Sequence, residues 1–371
     1  MKILVANWRC IKNPEMGGAE VHFHEIFKLI VKMGHEVTLV VHSFPNAKKE
    51  ETIDGIKIHR VGSKFIFKYA FKWFYKMYLA KNNYDLIVDD ISKIPMDTPR
   101  YINKPIVGIL HHIHGSTLYK EIPAYMAFYI SQCEKRIPKY YSKTPMFTVS
   151  PSTKDELVAL GQPEAKIDYL YNAIDQELFE KTKIEKSETP LLVYVGRIKK
   201  YKQVDLVIDV LPKLLEKYPN LELHIGGTGD NLEELKNYAS QKGVLDSVKF
   251  LGFLSEDDKA KLLGRAWIFV TMAMKEGWGI TVIEANAMNT PVVGSNVSGL
   301  RDSIKDGETG YLVEMYNEED LIVKISDLIE NKEKLNQFSE NAKEWSLQFS
   351  WQSSAEHFIK KVHEWYPEIE S

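Results

Sequence analysis

The chain has 371 residues, a hydrophobic share of 44% and a formal net charge of −3. This length accommodates two α/β domains, each large enough to bury a core of its own. No apolar run approaches the roughly 20 residues of a membrane-spanning helix. The two cysteines, Cys10 and Cys133, are far apart in the sequence and form neither a disulfide framework nor a metal knuckle, so we expect a protein of the reducing cytoplasm.

The charge is distributed unevenly along the chain. Residues 1–175 contain 24 basic and 18 acidic residues, whereas the remainder contains 24 basic and 33 acidic ones. A basic first half indicates an anionic partner, either a membrane surface or a charged acceptor, although chance variation among surface lysines explains the excess equally well. No nucleic-acid partner is expected.

Short apolar runs bounded by turn residues alternate with segments of helical periodicity. In the first half a helix is predicted over Gly18–Met33, and strands are predicted at Lys2–Asn7, Glu36–His42, Ile56–Val61, Leu86–Asp89, Pro105–His111 and Met146–Val149. Strands that alternate with helices favour a mostly parallel sheet covered on both faces.

Residues 181–190 are polar and aperiodic, which is typical of a linker. The pattern then restarts with a helix over Val204–Lys217 and with strands at Leu191–Val195, Leu221–Ile225, Val248–Leu251, Trp267–Thr271 and Pro291–Gly294. The restart predicts two domains, residues 1–180 and residues 181–349. Residues 350–371 are predicted to form a helix rich in Trp and Phe that packs back toward the N-terminal domain.

Ligands of open α/β sheets bind at the carboxyl ends of strands, so residues that follow the strands are the candidate site residues. Gly17 and Gly18 precede the first helix, where backbone N–H groups favour a phosphate, although a tight turn without a ligand fits as well. Their spacing is not that of the Gly-x-Gly-x-x-Gly fingerprint. His111, His112 and His114 follow a later strand and predict a metal site, a hydrogen bond from His111 to a sugar, or solvent-exposed loop histidines.

The second half holds more informative residues. Arg197 and Lys202 follow its first strand, and two cations there suit a nucleoside diphosphate leaving group. Gly227 belongs to a second glycine-rich loop. The segment Glu276-Gly277-Trp278-Gly279-Ile280 leads into a helix that carries Glu284. In a continuous helix the two glutamates would lie roughly 12 Å apart, which suits the two ends of a nucleotide sugar, whereas a surface acid and a helix-dipole acid are the alternative interpretation.

In this order, the motifs resemble glycosyltransferase family 4, the retaining transferases with the GT-B fold. That α/β fold consists of two Rossmann-like domains facing a central cleft. The resemblance covers nearly the whole chain and rests on Gly17-Gly18-Ala19-Glu20, Tyr171-Asn172-Ala173-Ile174-Asp175, Val195-Gly196-Arg197 with Lys202, Glu276-Gly277 through Glu284-Ala285, and Thr290-Pro291-Val292-Val293 followed by Asp306-Gly307-Glu308-Thr309-Gly310.

The resemblance implies a role for each matched position. Arg197 and Lys202 would hold the donor diphosphate, and Glu284 would bind the ribose, with Gly227 counted among the donor-binding residues. Glu276 would contact the donor sugar, helped by the backbone N–H groups of Gly277, Trp278, Gly279 and Ile280. Gly17 and Gly18 would approach the phosphates from the first domain, and His111 would lie near the transferred sugar.

The resemblance also implies the reaction. A hexose would move from a UDP- or GDP-sugar to a glycan or lipid-linked acceptor with retention, without cofactor or metal, in cell-surface glycan biosynthesis. Trp278 stands where Phe is commoner and Met288-Asn289 replaces a usual Cys-Gly, which leaves the donor open. The alternatives are a Rossmann-type NAD-dependent oxidoreductase, disfavoured by the missing glycine fingerprint, and an inactive nucleotide-sugar-binding module, disfavoured by the filled polar positions.

Residues 64–81 combine lysines with aromatic side chains. Lys64, Lys68, Lys72 and Lys76 recur every four residues and would form one stripe on a helix. Such a helix suits an anionic membrane surface, although the apolar side chains beside the stripe suit a protein core as well. We therefore predict peripheral contact with the inner face of the membrane.

Overall fold

The structure is a computed structural model that describes residues 1–120 and 122–369. The chain forms two compact units. The first consists of Met1–Ala173 together with the C-terminal segment that begins at Trp351, and the second consists of Ile174–Ser350.

The first unit is built on a sheet of eight strands: β1 (Lys2–Ala6), β2 (Glu36–Val41), β3 (Glu50–Ile53), β4 (Ile56–Arg60), β5 (Leu86–Ile91), β6 (Ile106–Leu110), β7 (Met146–Thr148) and β8 (Ile167–Tyr169). Their order is β3-β4-β2-β1-β5-β6-β7-β8, with β3 antiparallel to β4 and the other pairs parallel. Its helices are α1 (Gly18–Lys32), α2 (Phe67–Phe74), α3 (Ala124–Lys135), α4 (Ile137–Tyr141), α5 (Pro151–Ala159) and the C-terminal helix (Trp351–Trp365).

The C-terminal helix belongs to the first unit because its apolar face is buried there. Phe358 is fully buried and its ring lies 5.2 Å from that of Phe27 on α1. The Trp365 ring packs in a tilted arrangement 4.8 Å from that of Phe147 on β7, and the Tyr366 hydroxyl donates to the carbonyl oxygen of Ile106 at 2.7 Å. These contacts join a segment far along the chain to the sheet of the first unit.

The second unit has six parallel strands: β9 (Leu191–Val195), β10 (Glu222–Gly226), β11 (Val248–Gly252), β12 (Ile268–Thr271), β13 (Val292–Ser295) and β14 (Gly310–Val313). They are ordered β11-β10-β9-β12-β13-β14. The helices are α6 (Gln176–Lys181), α7 (Val204–Lys217), α8 (Leu232–Gln241), α9 (Glu256–Arg265), α10 (Ile280–Ala287), α11 (Leu300–Ser303), α12 (Glu318–Glu330) and α13 (Lys332–Ser346). The core is the apolar face of α7 and α12 on this sheet.

The predicted linker at residues 181–190 is wrong. Helix α6 packs on α9 and α10, so the second unit already begins at Ile174 rather than at residue 181. The Lys186 residue is exposed as a whole, but its ammonium donates to the carbonyl oxygen of Ala266 at 2.8 Å and to the Thr290 hydroxyl at 2.6 Å. Desolvation of the ammonium lowers the pKa of Lys186 to about 7. The segment therefore lies fixed against the second unit.

The predicted lysine helix is also wrong in part. Helix α2 begins only at Phe67, and residues Tyr75–Leu79 form a π-helical turn. Lys64 precedes the helix and pairs with Glu15 at 3.1 Å. Because a π turn contains more residues than an α turn, the four lysines do not form one continuous stripe. Phe67 and Phe71 are core residues, as the alternative interpretation expected.

Candidate functional site

In both sheets the order in which successive strands are added reverses at the first strand of the unit, so that later strands lie on both sides of it. The first strand of each unit is central, with β2 and β5 on the two sides of β1, and with β10 and β12 on the two sides of β9. In open α/β sheets such a switch point leaves a crevice at the carboxyl ends of the strands, where ligands bind. Arg197 follows β9 and Glu276 follows β12, so two predicted site residues lie at the switch point of the second unit.

Lys202 and Glu276 form an ion pair, although 74 residues separate them in the chain. Lys202 ends a short 3₁₀ turn over Lys200–Lys202, and its ammonium donates to the Glu276 carboxylate. Both side chains are largely buried, at 14% and 20% exposure. Burial opposes the charge of Lys202, but the attraction of Glu276 outweighs it and holds the pKa of the ammonium above its usual value. The site thus contains a charged lysine and carboxylate in one partly buried pocket.

Arg197 lies on the open side of the same loop. The residue is exposed, and its guanidinium donates to the Tyr201 hydroxyl at 3.4 Å. The Tyr194 hydroxyl donates to the Arg197 carbonyl oxygen at 2.9 Å, which holds the backbone of the loop. Tyr201 also lies beside the ammonium of Lys202, 5.2 Å from ring centroid to nitrogen. Tyr201 thus connects the two predicted cations.

Gly227 has a packing reason for being glycine. Its φ is +131°, and a Cβ atom there would lie 1.9 Å from the carbonyl oxygen of Gly196. Gly229 would meet the carbonyl oxygen of Ile198 at the same distance. The two glycines let their loop pack closely against the backbone on both sides of Arg197. Gly227 therefore supports the Arg197 loop, and its predicted contact with the donor stays a prediction.

Glu276 and Glu284 do not share one continuous helix. Helix α10 begins at Ile280, and Gly279 before it has φ 93° and no side-chain cap. The roughly 12 Å spacing of a single helix therefore does not apply. The start of a helix without a side-chain cap presents backbone N–H groups that favour an anion.

Gly299 supports this helix start from the next strand connection. Its φ is +81°, and a Cβ atom would lie 2.4 Å from the Glu276 carbonyl oxygen and 2.7 Å from the Gly277 carbonyl carbon. The Trp278 ring is buried and packs 5.1 Å from Phe349. The segment from Glu276 to Gly279 thus packs against Gly299 through its backbone and against Phe349 through its own Trp278 ring.

Glu284 is buried on α10 and pairs with Lys259 of α9. The Lys259 ammonium donates to the Glu284 carboxylate at 2.6 Å and lies 2.7 Å from Glu256. Burial raises the pKa of Glu284, while Lys259 opposes that shift. The pair keeps a carboxylate charged inside the unit, where a lone charge would be costly.

In the first unit, Gly17 uses its N–H group internally. That N–H donates to the Glu20 carboxylate at 2.7 Å, and Glu20 is itself buried at the start of α1. Burial raises the pKa of Glu20. A phosphate that approached Gly17 would have to displace this bond, whereas Gly18 is exposed. The hydrogen bond to Glu20 is what a tight turn requires, and phosphate binding at Gly17 and Gly18 stays a prediction.

His111 is buried rather than solvent-exposed. Its Nε2 lies 2.6 Å from Oδ1 of Asp90, whose other oxygen accepts from the Asn7 side chain at 2.6 Å. The His22 ring meets the His111 ring edge-on at 5.1 Å. These residues come from the ends of β1, β5 and β6 and from α1. A carboxylate bound at Nε2 sets the tautomer and leaves Nδ1 as the nitrogen that can accept from a ligand.

His112 and His114 are separate from His111. Their Nε2 atoms lie 2.9 Å apart, and Nδ1 of His114 lies 3.0 Å from Glu134. The same carboxylate accepts from the backbone N–H groups of His114 and Gly115, at 2.7 and 3.2 Å. Glu134 therefore holds the loop together. Among residues 1–120 and 122–369, no group of three or more His, Cys, Asp and Glu side chains is arranged to hold a metal ion.

The structure adds residues that the sequence did not indicate. Asp90 immediately follows a predicted strand and was open to the same reasoning as Glu276. Lys259 and Gly299 carry no signal of their own, because each acts through a residue that is distant in the chain. The described residues contain no helix that is long and apolar enough to cross a bilayer.

Two family models together match most of the chain. Residues 175–345 match the glycosyl transferases group 1, and residues 16–178 match Glycosyltransferase Family 4. The chain belongs to glycosyltransferase family 4. An uncharacterized glycosyltransferase of Methanocaldococcus jannaschii is 28% identical in an alignment of 345 positions that covers 84% of this chain and 85% of the relative. The family resemblance that the sequence motifs predicted is thereby confirmed.

Solved structures confirm the GT-B fold of this family member. Sucrose-phosphate synthase from Thermosynechococcus elongatus superposes with a TM-score of 0.81 at 17% identity, covering 99% of this chain and 100% of that one. The Anabaena protein HepE, solved in complex with UDP and glucose, superposes with a TM-score of 0.77 at 18% identity, covering 98% and 100% of the two chains.

Proposed function

We propose that the chain is a retaining glycosyltransferase that moves a hexose from a UDP- or GDP-sugar to a glycan or lipid-linked acceptor without a metal. The observation that carries this proposal is the Lys202–Glu276 ion pair at the switch point of the second unit, beside the uncapped start of the helix that carries Glu284. A cation, the backbone amides of a helix start without a side-chain cap and two separate carboxylates match the diphosphate and the two sugars of such a donor. HepE, which was solved with UDP, supports the donor class.

Donor binding would exchange partners within the site. The diphosphate would draw the Lys202 ammonium and the exposed Arg197 guanidinium, which releases the Glu276 carboxylate from its ion pair. Glu276 would then accept hydrogen bonds from the hydroxyls of the donor sugar. Glu284, kept charged by Lys259 at 2.6 Å, would accept from the ribose hydroxyls. Each carboxylate thus has a different sugar to bind, and neither is needed as an acid or base.

The transfer step would proceed on one face of the donor sugar. The bond from its anomeric carbon to the phosphate oxygen breaks, and a bond from that carbon to the acceptor oxygen forms. The acceptor proton passes to the leaving phosphate. Arg197, Lys202 and the α10 amides would stabilise the charge that grows on the phosphate. This arrangement requires no nucleophile from the protein, and His111 would accept from a sugar hydroxyl through Nδ1.

Donor binding is the first test. We expect one of a panel of UDP- and GDP-sugars to raise the unfolding temperature, because a ligand that binds only the folded state stabilises it. Glu276→Gln should reduce turnover of that donor at least about a hundredfold, the usual effect of losing one transition-state contact. Glu333→Gln, a change at an exposed position on α13, is the matched control. Normal turnover by Glu276→Gln would contradict this mechanism. A product with inverted anomeric configuration would contradict the proposal that the enzyme retains that configuration.

Arg197 allows a test of diphosphate binding alone. Arg197→Gln should weaken UDP or GDP binding about tenfold, since a charge-assisted hydrogen bond contributes roughly 1.5–3 kcal/mol. Lys199→Gln in the same loop is the control, because Lys199 pairs with Asp230 at 2.5 Å rather than with a site residue. Isothermal titration with the nucleoside diphosphate measures both. Equal losses in the two variants would show that only the general charge of the loop matters.

We further propose that residues 64–81 contact an anionic membrane surface from the cytoplasmic side. Tyr69, Trp73 and Met77 are more than half exposed, at 67%, 57% and 59%. Aromatic side chains beside lysines suit the interface of an anionic bilayer. Sedimentation with liposomes is expected to deplete the protein when anionic lipid is present. Equal and negligible binding with and without anionic lipid would contradict this contact.

A further inference from the structure

A cavity in the first unit, lined by none of the candidate site residues described above, is lined by cations and phenols. It has a volume of about 200 Å³, space for six or seven water molecules at about 30 Å³ each. Its walls come from α2, from the connection between β5 and β6, and from the junction of α3 and α4. We refer to it as the basic cavity. It adds a ligand to the membrane contact proposed above, and it rests on that part of the proposed function.

The basic cavity has three positive charges in excess. Its lining contains Lys68, Lys72, Arg100 and Arg136 against the single carboxylate of Asp97. Asp97 lies 2.7 Å from the Lys68 ammonium and 3.8 Å from the Arg100 guanidinium. One carboxylate cannot neutralise four cations, so the cavity attracts an anion. A phosphate, with two charges and several acceptor oxygens, suits such a set better than a carboxylate does.

Aromatic rings hold the cations in place. The Lys72 ammonium lies 5.1 Å from the centre of the Tyr101 ring, and the Arg100 guanidinium lies 4.6 Å from the Tyr140 ring. Tyr129 adds a hydroxyl that interacts with Cys133 and Tyr69. Cations fixed over rings lose less side-chain freedom on binding than free surface lysines do.

The rim of the basic cavity is apolar and exposed. Tyr69 and Trp73 lie four residues apart on α2, and Tyr125 and Tyr129 lie four residues apart on α3, so each pair shares one helix face. Their exposed fractions are 67%, 57%, 75% and 46%. Tyr69 and Tyr129 also line the cavity. The rings therefore continue outward from the anion-binding groups, as an amphiphile with a charged head and apolar chains requires.

We propose that the basic cavity binds the phosphorylated head group of a membrane lipid, with the rim rings contacting its apolar part. A diffuse electrostatic contact would depend on charge alone, whereas this cavity distinguishes a phosphate from another anion of equal charge. Lys68 and Lys72 then contact one head group instead of forming a flat stripe along the membrane.

Vesicle binding tests the choice of phosphate. Vesicles of digalactosyldiacylglycerol, an uncharged lipid without phosphate, are doped either with phosphatidic acid or with cholesteryl hemisuccinate to the same zeta potential. We expect the wild type to bind the phosphate-bearing vesicles at least about tenfold more tightly, the effect of one or two charge-assisted hydrogen bonds. Equal affinity for the two vesicles would overturn the proposal.

Two double variants of equal charge test the location. Lys72→Gln/Arg136→Gln removes two cavity cations, and Lys76→Gln/Lys81→Gln removes two exposed lysines of the neighbouring segment that do not line the cavity. The first should lose the preference for phosphate and the second should keep it, with unfolding temperatures confirming that both fold. Equal loss in both variants would overturn the location.

A soluble probe tests whether a lipid is needed. Short-chain phosphatidic acid below its micelle concentration should bind the wild type more tightly than inorganic phosphate, and the cavity variant should bind neither well. Equal binding of the two probes would overturn the lipid part of the proposal. Thermal shift by UDP- or GDP-sugars is measured in parallel. Donor binding without phosphate preference refutes only this inference, whereas phosphate preference without donor binding refutes only the proposed transferase.

Discussion

Removing Lys259 should destabilise the protein through the carboxylate that it leaves behind. In Lys259→Met the Glu284 side chain remains buried on α10, and it loses the ammonium at 2.6 Å. Both partners are at most 14% exposed, so water replaces the ammonium poorly. Breaking such a pair by removing one member costs about 3–5 kcal/mol. Because Lys259 lies near the edge of the buried range, we expect about 3 kcal/mol.

The pH dependence identifies the cause of this loss. Burial holds the pKa of Glu284 above its usual value, and Lys259 opposes that rise. A carboxyl group with a raised folded pKa loses stability as the pH rises through that value, because the folded state binds the proton more tightly. In Lys259→Met the pKa of Glu284 should rise further. The variant should therefore be most destabilised at pH 8 and less so at pH 5, where Glu284 takes up a proton.

Urea unfolding at the two pH values measures the effect. Lys261→Met on the same helix is the control, since Lys261 is exposed. Adding Glu284→Gln to Lys259→Met should recover much of the loss by removing the unpaired charge. The reasoning is refuted if Lys259→Met is no less stable than Lys261→Met, or if its loss is the same at pH 5 and pH 8.

The following changes extend these expectations to the backbone and to a buried acid. Gly299→Ala should weaken donor binding about tenfold or more, because the new Cβ atom would lie 2.4 Å from the Glu276 carbonyl oxygen. Gly307→Ala is the control, since Gly307 has a similar φ of +76° and no atom within 4 Å of a Cβ atom. It should cost only the backbone strain, about 1–2 kcal/mol of stability. Donor titration and urea unfolding separate the two effects, and equal behaviour of the variants would contradict the contact. Burial raises the pKa of Asp89 to about 6. The wild type should therefore lose up to about 3 kcal/mol of unfolding free energy, relative to Asp89→Asn, as the pH rises from 4 to 7. A stability difference between the two proteins that does not change with pH would contradict this.

The sequence predicted the central strands well because each is a short apolar run that is buried on both faces. Strand β9 and helix α7 agree to the residue with the prediction. The missed strands lie toward the sheet edges, and β3 is one of them, with the partly exposed sequence Glu-Glu-Thr-Ile, which has too few apolar residues to be distinguished from a turn. The apolar pattern of the sequence therefore locates a strand reliably only where both faces of that strand are buried.

The sequence could predict which residues lie at the site, but it could not predict which residues pair with them. Glu276 and Lys202 stand after strands, where ligands bind, yet nothing in the sequence pairs them across 74 residues. The same holds for His111, which Asp90 orients, and for Gly17, whose N–H group Glu20 occupies. Lys186 shows the reverse error, because its polar segment looked like a linker although its ammonium is bound to the carbonyl oxygen of Ala266 and to the Thr290 hydroxyl. Local pattern describes each element, while these pairings depend on tertiary structure.

The return of the C-terminal helix to the first unit affects how the chain is assembled. The first unit cannot bury Phe27 and Phe147 completely until the helix that begins at Trp351 has been synthesised, and by then the whole second unit has been synthesised too. A nascent chain therefore carries an incomplete first unit for most of its synthesis. A fragment that ends at Ala173 would expose the α1 surface that Phe358 covers, so the second unit is the part that we expect to fold when expressed alone.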